Sequence, residues 1–240
     1  MLNHATNHIQ TRYGQVENAK SKVNMNLLNK ISKRQLIILS PLLVIALGHL
    51  TARIAGYFIG VMALIPIIIV FWSSIIYLIY WGAGKETILK WLQPSKGKWW
   101  WTILALAVGF IPLPLLIYNW ELLIPVEIWT SWLIFGLVNP WFEEGYWRGL
   151  LMDAVNKWKP WQRVGYTSLF FAASHPLMWG VTSIANFTPE VFISTFIMGI
   201  VWAVVYYKTN SLRWVIVSHI LVDLFNLSIP VFLNLYIPPI

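Results

Sequence analysis

Six ionisable side chains in the second half of the chain stand among almost wholly apolar neighbours. Glu143, Glu144 and Arg148 lie in WFEEGYWRGL, His175 in FFAASHPL, and His219 and Asp223 in VSHILVDL. Carboxylates and imidazoles are the common general acid–base groups of hydrolases. Glu144 and Arg148 are four residues apart, so on a helix they stack on one face and pair. Glu143 is turned about 100° away from them. That leaves Glu144 and Arg148 neutralising each other and Glu143 free for general base work. His219 and Asp223 share the same four-residue spacing. Asp223 can orient the imidazole, or both can contact substrate oxygen. Phe171 and His175 repeat it, which predicts an aromatic wall beside that histidine.

The elements that must position these groups follow from composition. Hydrophobic residues make up 58% of the 240-residue chain and charged residues 11%, against roughly 25% charged in a soluble domain. So little charge cannot cover a water-facing surface, so the solvent is lipid. A soluble enzyme and a nucleic-acid-binding module are excluded, and the net charge of +8 is not a nucleic-acid signal. There is no cysteine, so thiolate catalysis and Cys-based metal sites are excluded. The polar, basic start of the chain does not read as a cleavable signal.

Apolar stretches run over about 36–52, 57–81, 101–118, 128–142, 164–179, 191–207 and 212–236. Backbone in lipid must satisfy its own hydrogen bonds. The expected fold class is therefore all-α, a polytopic membrane helix bundle of about seven transmembrane helices. An interfacial helix over 24–35 is an added option. Residues 1–35 read as a basic cytoplasmic arm and 36–240 as the membrane domain, with a functional core in about 128–235. Pro41, Pro66, Pro112 and Pro114 predict kinks. With the N-terminus inside, sixteen of seventeen Lys and Arg fall on the inner side and only Arg53 outside, as the positive-inside rule requires.

An ionisable residue within a span costs about 2.5–3.5 kcal/mol on insertion scales and is a functional candidate by default. Counted from the inner ends of their apolar runs, Glu143, His175, His219 and Asp223 lie about 10–17 Å deep at 1.5 Å per residue. Groups lining one cavity agree in depth; unrelated structural histidines need not. Taken singly, each histidine reads more simply as an interhelical hydrogen-bonding group, and Glu144–Arg148 as a structural ion pair. Ser174–His175 and Ser218–His219 do not make a serine nucleophile, because helix neighbours point about 100° apart.

The three elements, Glu143-Glu144-Gly-Tyr-Trp-Arg148, Phe171-Ala-Ala-Ser-His175 and His219-Ile-Leu-Val-Asp223, resemble the EExxxR, FxxxH and HxxxN/D motifs of the CPBP intramembrane proteases. That family is also called Abi, or type II CAAX prenyl endopeptidase-like. The resemblance implies a glutamate-dependent intramembrane endopeptidase in which Glu143 activates water, His175 assists it, and His219 with Asp223 forms the oxyanion side. Asp223 stands where the family also uses Asn. An ionised Asp cannot donate to an oxyanion, so it is either protonated or serves to orient His219. No cofactor is expected. Zinc is the alternative, since Glu143, His175, His219 and Asp223 are plausible ligands by type, but HExxH spacing is absent. The expected partners are the bilayer and a membrane-associated protein or peptide substrate: a prenylated C-terminus, a peptide precursor or a sorting tail. The expected location is a bacterial inner (cytoplasmic) membrane, with the N-terminus cytoplasmic. The competing reading is a non-catalytic immunity or scaffold protein, or an ion-coupled transporter using the buried carboxylates. Retention of all three motifs and the lack of repeat symmetry weigh against it.

Overall fold

The computed structural model describes residues 32–237, which are helical with no strand among them. Most of the 24–35 segment proposed as an interfacial helix lies outside the described residues. Chain order is α1 (Lys33–Ile59), α2 (Leu64–Ala83), α3 (Lys85–Trp91), α4 (Trp100–Phe110), α5 (Leu113–Asn119) and α6 (Val126–Glu144). A π-helical turn (Gly145–Leu150) and α7 (Leu151–Ala154) continue α6. Then come α8 (Pro160–Leu177), α9 (Pro189–Thr209), α10 (Arg213–Phe225) and α11 (Ser228–Phe232).

The helix boundaries follow from residue chemistry. Gly60 (φ 58°) makes the turn between α1 and α2 in a conformation that favours glycine. The hairpin it closes is antiparallel, because Gly82 near the end of α2 packs on Ile37 near the start of α1. Pro66 falls in the first turn of α2, where its missing N–H breaks no helical bond, so no kink arises there. Pro112 and Pro114 do more than kink. They end α4 and start α5, splitting the expected 101–118 span into two helices. The expected 212–236 span also breaks, with Leu227 in the left-handed region (φ 57°) between α10 and α11.

Directions can be read from contacts. Trp72 bonds Asn139 and Ile79 packs on Gly145, so α2 and α6 run parallel. Trp132 donates to the Leu224 carbonyl, while Asn139 reaches Asp223 and Glu144 reaches His219, so α10 runs antiparallel to α6. Gly48 packs on Met178 and Gly56 on Thr182, which places α8 and its following turn alongside α1 in the same sense.

Three stretches are long and apolar enough by themselves to cross a bilayer: Lys33–Ala83, Trp100–Leu123 and Pro189–Thr209. The helices carrying the acid–base residues, α6, α8 and α10, are not among them. They hold the charged groups, and α10 is only 13 residues long. Many large apolar side chains of α1 and α2 are exposed, among them Leu42, Leu43, Tyr57, Ile69 and Tyr77. The core lies instead where Phe71, Trp147, Phe171, Trp179 and Trp202 meet.

Candidate active site

The carboxylates of the first motif come from the last turn of α6. Pro140 sits inside that helix, and the next six residues form a π-turn. Proline removes a backbone donor, and π-turns widen the helix, often at functional sites. Glu143, Glu144, Arg148, His219 and Asp223 are all buried.

Glu144 is held on two sides. Arg148 Nη1 donates to its Oε1 at 2.8 Å, and His219 Nδ1 lies 2.7 Å from the same oxygen. A carboxylate paired with arginine only accepts, so the His219 Nδ1 carries a proton. Aromatic faces also lie against Arg148, its Cζ 4.2 Å from the Phe171 ring centre and 5.2 Å from that of Trp202, while its Nε and Nη2 have no hydrogen-bond partner among the described residues. Desolvated contacts of this kind are worth about 2 kcal/mol or more. Trp202 also stacks on His219, with ring centres 4.5 Å apart. Such a close approach of α9 depends on Gly199, where a Cβ would stand 3.2 Å from Arg148 Nη2 and 3.1 Å from Ser168 Cβ.

Glu143 is placed differently. Among the described residues no hydrogen bond fixes it, and its Oε2 lies 3.9 Å from His219 Nε2. Asp223 Oδ1 lies 3.6 Å from the same nitrogen. Both separations exceed a direct hydrogen bond and suit a bridging water. The sequence reading left Asp223 either orienting His219 or contacting substrate oxygen together with it. In the structure the bond that orients His219 goes to Glu144, across helices, and Asp223 is itself oriented by Asn139, whose Nδ2 donates to Oδ2 at 3.2 Å. Asn139 is fixed in turn by Trp72 Nε1, which donates to its Oδ1 at 2.9 Å. Three carboxyl groups, Glu143, Glu144 and Asp223, thus surround the His219 ring.

His175 lies in the last turn of α8, with Nδ1 3.2 Å from the Phe171 carbonyl. A carbonyl accepts, so the proton is on Nδ1 and Nε2 is left as an acceptor. The Phe171 ring stands edge-on between the two histidines, 5.2 Å from His175 and 5.9 Å from His219; this is the expected aromatic wall. Helix α8 begins at Pro160, ahead of the apolar run from which depth was counted. The meeting of the two histidines on Phe171 holds whatever end is chosen. The neighbouring serines are spent on structure: Ser174 Oγ donates to the Phe171 carbonyl, while Ser218 Oγ donates to the Ala105 carbonyl and accepts from Trp202 Nε1.

The sequence reading missed Asn139, Trp72 and Trp202. Asn139 had a signal, being a polar amide in an apolar run and one helical turn before Glu143. The tryptophans had none, because aromatic residues are expected at membrane interfaces anyway.

Residues 124–225, from just before α6 to the end of α10, match the family model described as Type II CAAX prenyl endopeptidase Rce1-like. No curated protein and no solved structure matches the chain. The matched segment contains all three motifs and every residue of the polar cluster except Trp72. Residues 124–225 are therefore similar to a CAAX-type protease domain, in a chain with three stretches long and apolar enough to cross a membrane.

Proposed function

We propose that the chain is an intramembrane endopeptidase that hydrolyses a peptide bond in a membrane-associated or lipid-modified protein or peptide, using a water activated by Glu143. The observation that carries this reading is the gap of 3.9 Å between Glu143 Oε2 and His219 Nε2, bounded on its third side by Asp223. A water there meets a carboxylate base that no other bond restrains. Glu143 takes the water's proton as the oxygen attacks the scissile carbonyl carbon. The tetrahedral oxyanion accepts from His219 Nε2, which donates as an imidazolium because Nδ1 already donates to Glu144. Collapse breaks the C–N bond, and the leaving amine takes the proton from Glu143. His175, with Nε2 as acceptor, assists Glu143. Asp223 serves as counter-charge to His219 and is kept in register by Asn139.

The reading is metal-free. Among the described residues no group of three or more His, Asp and Glu is spaced to hold a metal ion. We also assign the N-terminus to the cytoplasmic side of a bacterial inner membrane, on the lysine–arginine asymmetry. A reporter fused after Lys96 then reads cytoplasmic and one near Thr188 reads external, and a reversal at either fusion refutes the topology.

The test of activity is cleavage by protein reconstituted in liposomes. The substrates are a C-terminally farnesylated peptide, its unmodified counterpart and a transmembrane peptide, with products read by mass spectrometry. Cleavage that survives complete chelation supports the mechanism. Activity lost on chelation and restored by zinc overturns it, and no cleavage of any of the three favours the non-catalytic reading.

A further inference from the structure

The loop after α3 is strapped to the turn between α9 and α10. The Leu212 N–H donates to the Trp91 carbonyl (2.8 Å), the Ser211 hydroxyl to the Gln93 carbonyl (2.6 Å), and the Lys96 N–H to the Thr209 carbonyl (3.1 Å). At Gly97 a Cβ would lie 2.9 Å from the Lys208 carbonyl oxygen, so only glycine allows the strap to close this tightly. The strap gathers Lys96, Lys98, Lys208 and Arg213 at one end of the bundle, all exposed. No Asp or Glu occurs in 92–98 or 208–213.

Beside this cationic end runs an open, largely apolar groove of about 500 Å³, lined by Leu92, Pro94, Trp141, Trp214, Val217 and Ile220, with Arg213 also in its wall. Arg213 Nε donates to the Leu92 carbonyl. That bond fixes the guanidinium and leaves both Nη groups without a partner among the described residues. The groove joins an arginine fork, which matches phosphate oxygens in pairs, to an apolar trough within the size range of ligand sites.

We propose that this groove binds one anionic phospholipid of the adjoining leaflet, its phosphate on Arg213 and one acyl chain along Trp141, Val217 and Ile220. Charge complementarity selects that occupant. Four cations on segments that carry no acid attract a net negative headgroup, as basic pockets between membrane helices do, whereas a zwitterionic headgroup adds a further cation to the patch; the carboxylate of Asp153 is taken up by Trp91 and Tyr206. Trp141 lies two residues before Glu143, so the lipid occupies a lateral flank of the acid–base cluster.

Native mass spectrometry of delipidated protein in detergent, titrated with phosphatidylglycerol or phosphatidylcholine, tests the site. The wild type retains one phosphatidylglycerol in preference to phosphatidylcholine. Arg213→Ala weakens that retention by about fivefold or more. Val217→Trp fills the groove from its exposed side without touching the cations, and weakens retention to a similar degree. Lys98→Ala has a smaller effect, because it alters the field and not the fork. Equal retention of the two lipids overturns the proposal. So does an Arg213→Ala effect no larger than that of Lys98→Ala, unchanged retention by Val217→Trp, or a groove that holds a farnesylated peptide but no phosphatidylglycerol.

Discussion

The two sides of the buried polar cluster differ in how tightly they are held. On the Glu144 side Arg148 and His219 converge on one oxygen within 2.8 Å, and Phe171 and Trp202 close over the guanidinium, although Glu144 Oε2 and Arg148 Nε and Nη2 have no hydrogen-bond partner among the described residues. On the Glu143 side the charged groups stand 3.6–3.9 Å from His219 Nε2. Adjacent residues of one helix therefore serve different ends. A buried charge fixed by several partners is a structural joint, here tying α6 to α10. A buried carboxylate with no short partner among the described residues keeps a lone pair free for chemistry, as a general base requires.

Removing the arginine should give the largest change in stability. Arg148→Ala breaks the buried ion pair and leaves Glu144 with His219 as its one partner among the described residues; breaking a buried pair costs about 3–5 kcal/mol, and the variant should show a sharply lower thermal midpoint in detergent along with lower activity. A variant that melts like wild type would show that the joint is not one. Asn139→Ala should cost less, about 1.5–3 kcal/mol for a hydrogen bond to a charged group. Its rate loss should exceed its stability loss if Asn139 positions Asp223, and equal loss of both would make it merely structural. Asp223→Asn can keep the Asn139 bond through its amide oxygen and turn its NH2 toward the substrate oxyanion as a donor. Its cleavage rate should stay within about tenfold of wild type, a change of about 1.4 kcal/mol. Complete loss would mean that an ionised Asp223 is indispensable. Trp72→Phe, which removes only the donor to Asn139, should have the smallest effect, about 0.5–1.5 kcal/mol. An effect as large as that of Asn139→Ala would place Trp72 in the cluster itself.

How much of this was legible in sequence depended on whether a contact was local. The Glu144–Arg148 pair and the Phe171–His175 contact lie within one helix at four-residue spacing, and both were readable. The bond from His219 to Glu144 joins α10 to α6, and no spacing encodes it. The bundle class followed from the apolar runs, but the helix breaks did not. Pro112 and Pro114 mark theirs, whereas Leu227 adopts a left-handed conformation with no glycine to announce it. The π-turn over 145–150 leaves the hydrophobic pattern unchanged, so it too was hidden. The number of membrane crossings is the least legible feature, because α6, α8 and α10 give up apolar character to carry the polar cluster.

The central claim is that Glu143 does chemistry and Glu144 holds structure. The most direct measurement compares Glu143→Gln with Glu144→Gln, each in a cleavage assay with the reconstituted protein's own substrate peptide and in a thermal melt. Glu143→Gln should lose about 10²–10⁴-fold in rate with the melting midpoint of the wild type, and Glu144→Gln should melt well below it. A Glu143→Gln enzyme that still cleaves near the wild-type rate, or a Glu144→Gln protein as stable as wild type that has lost only rate, would contradict the account.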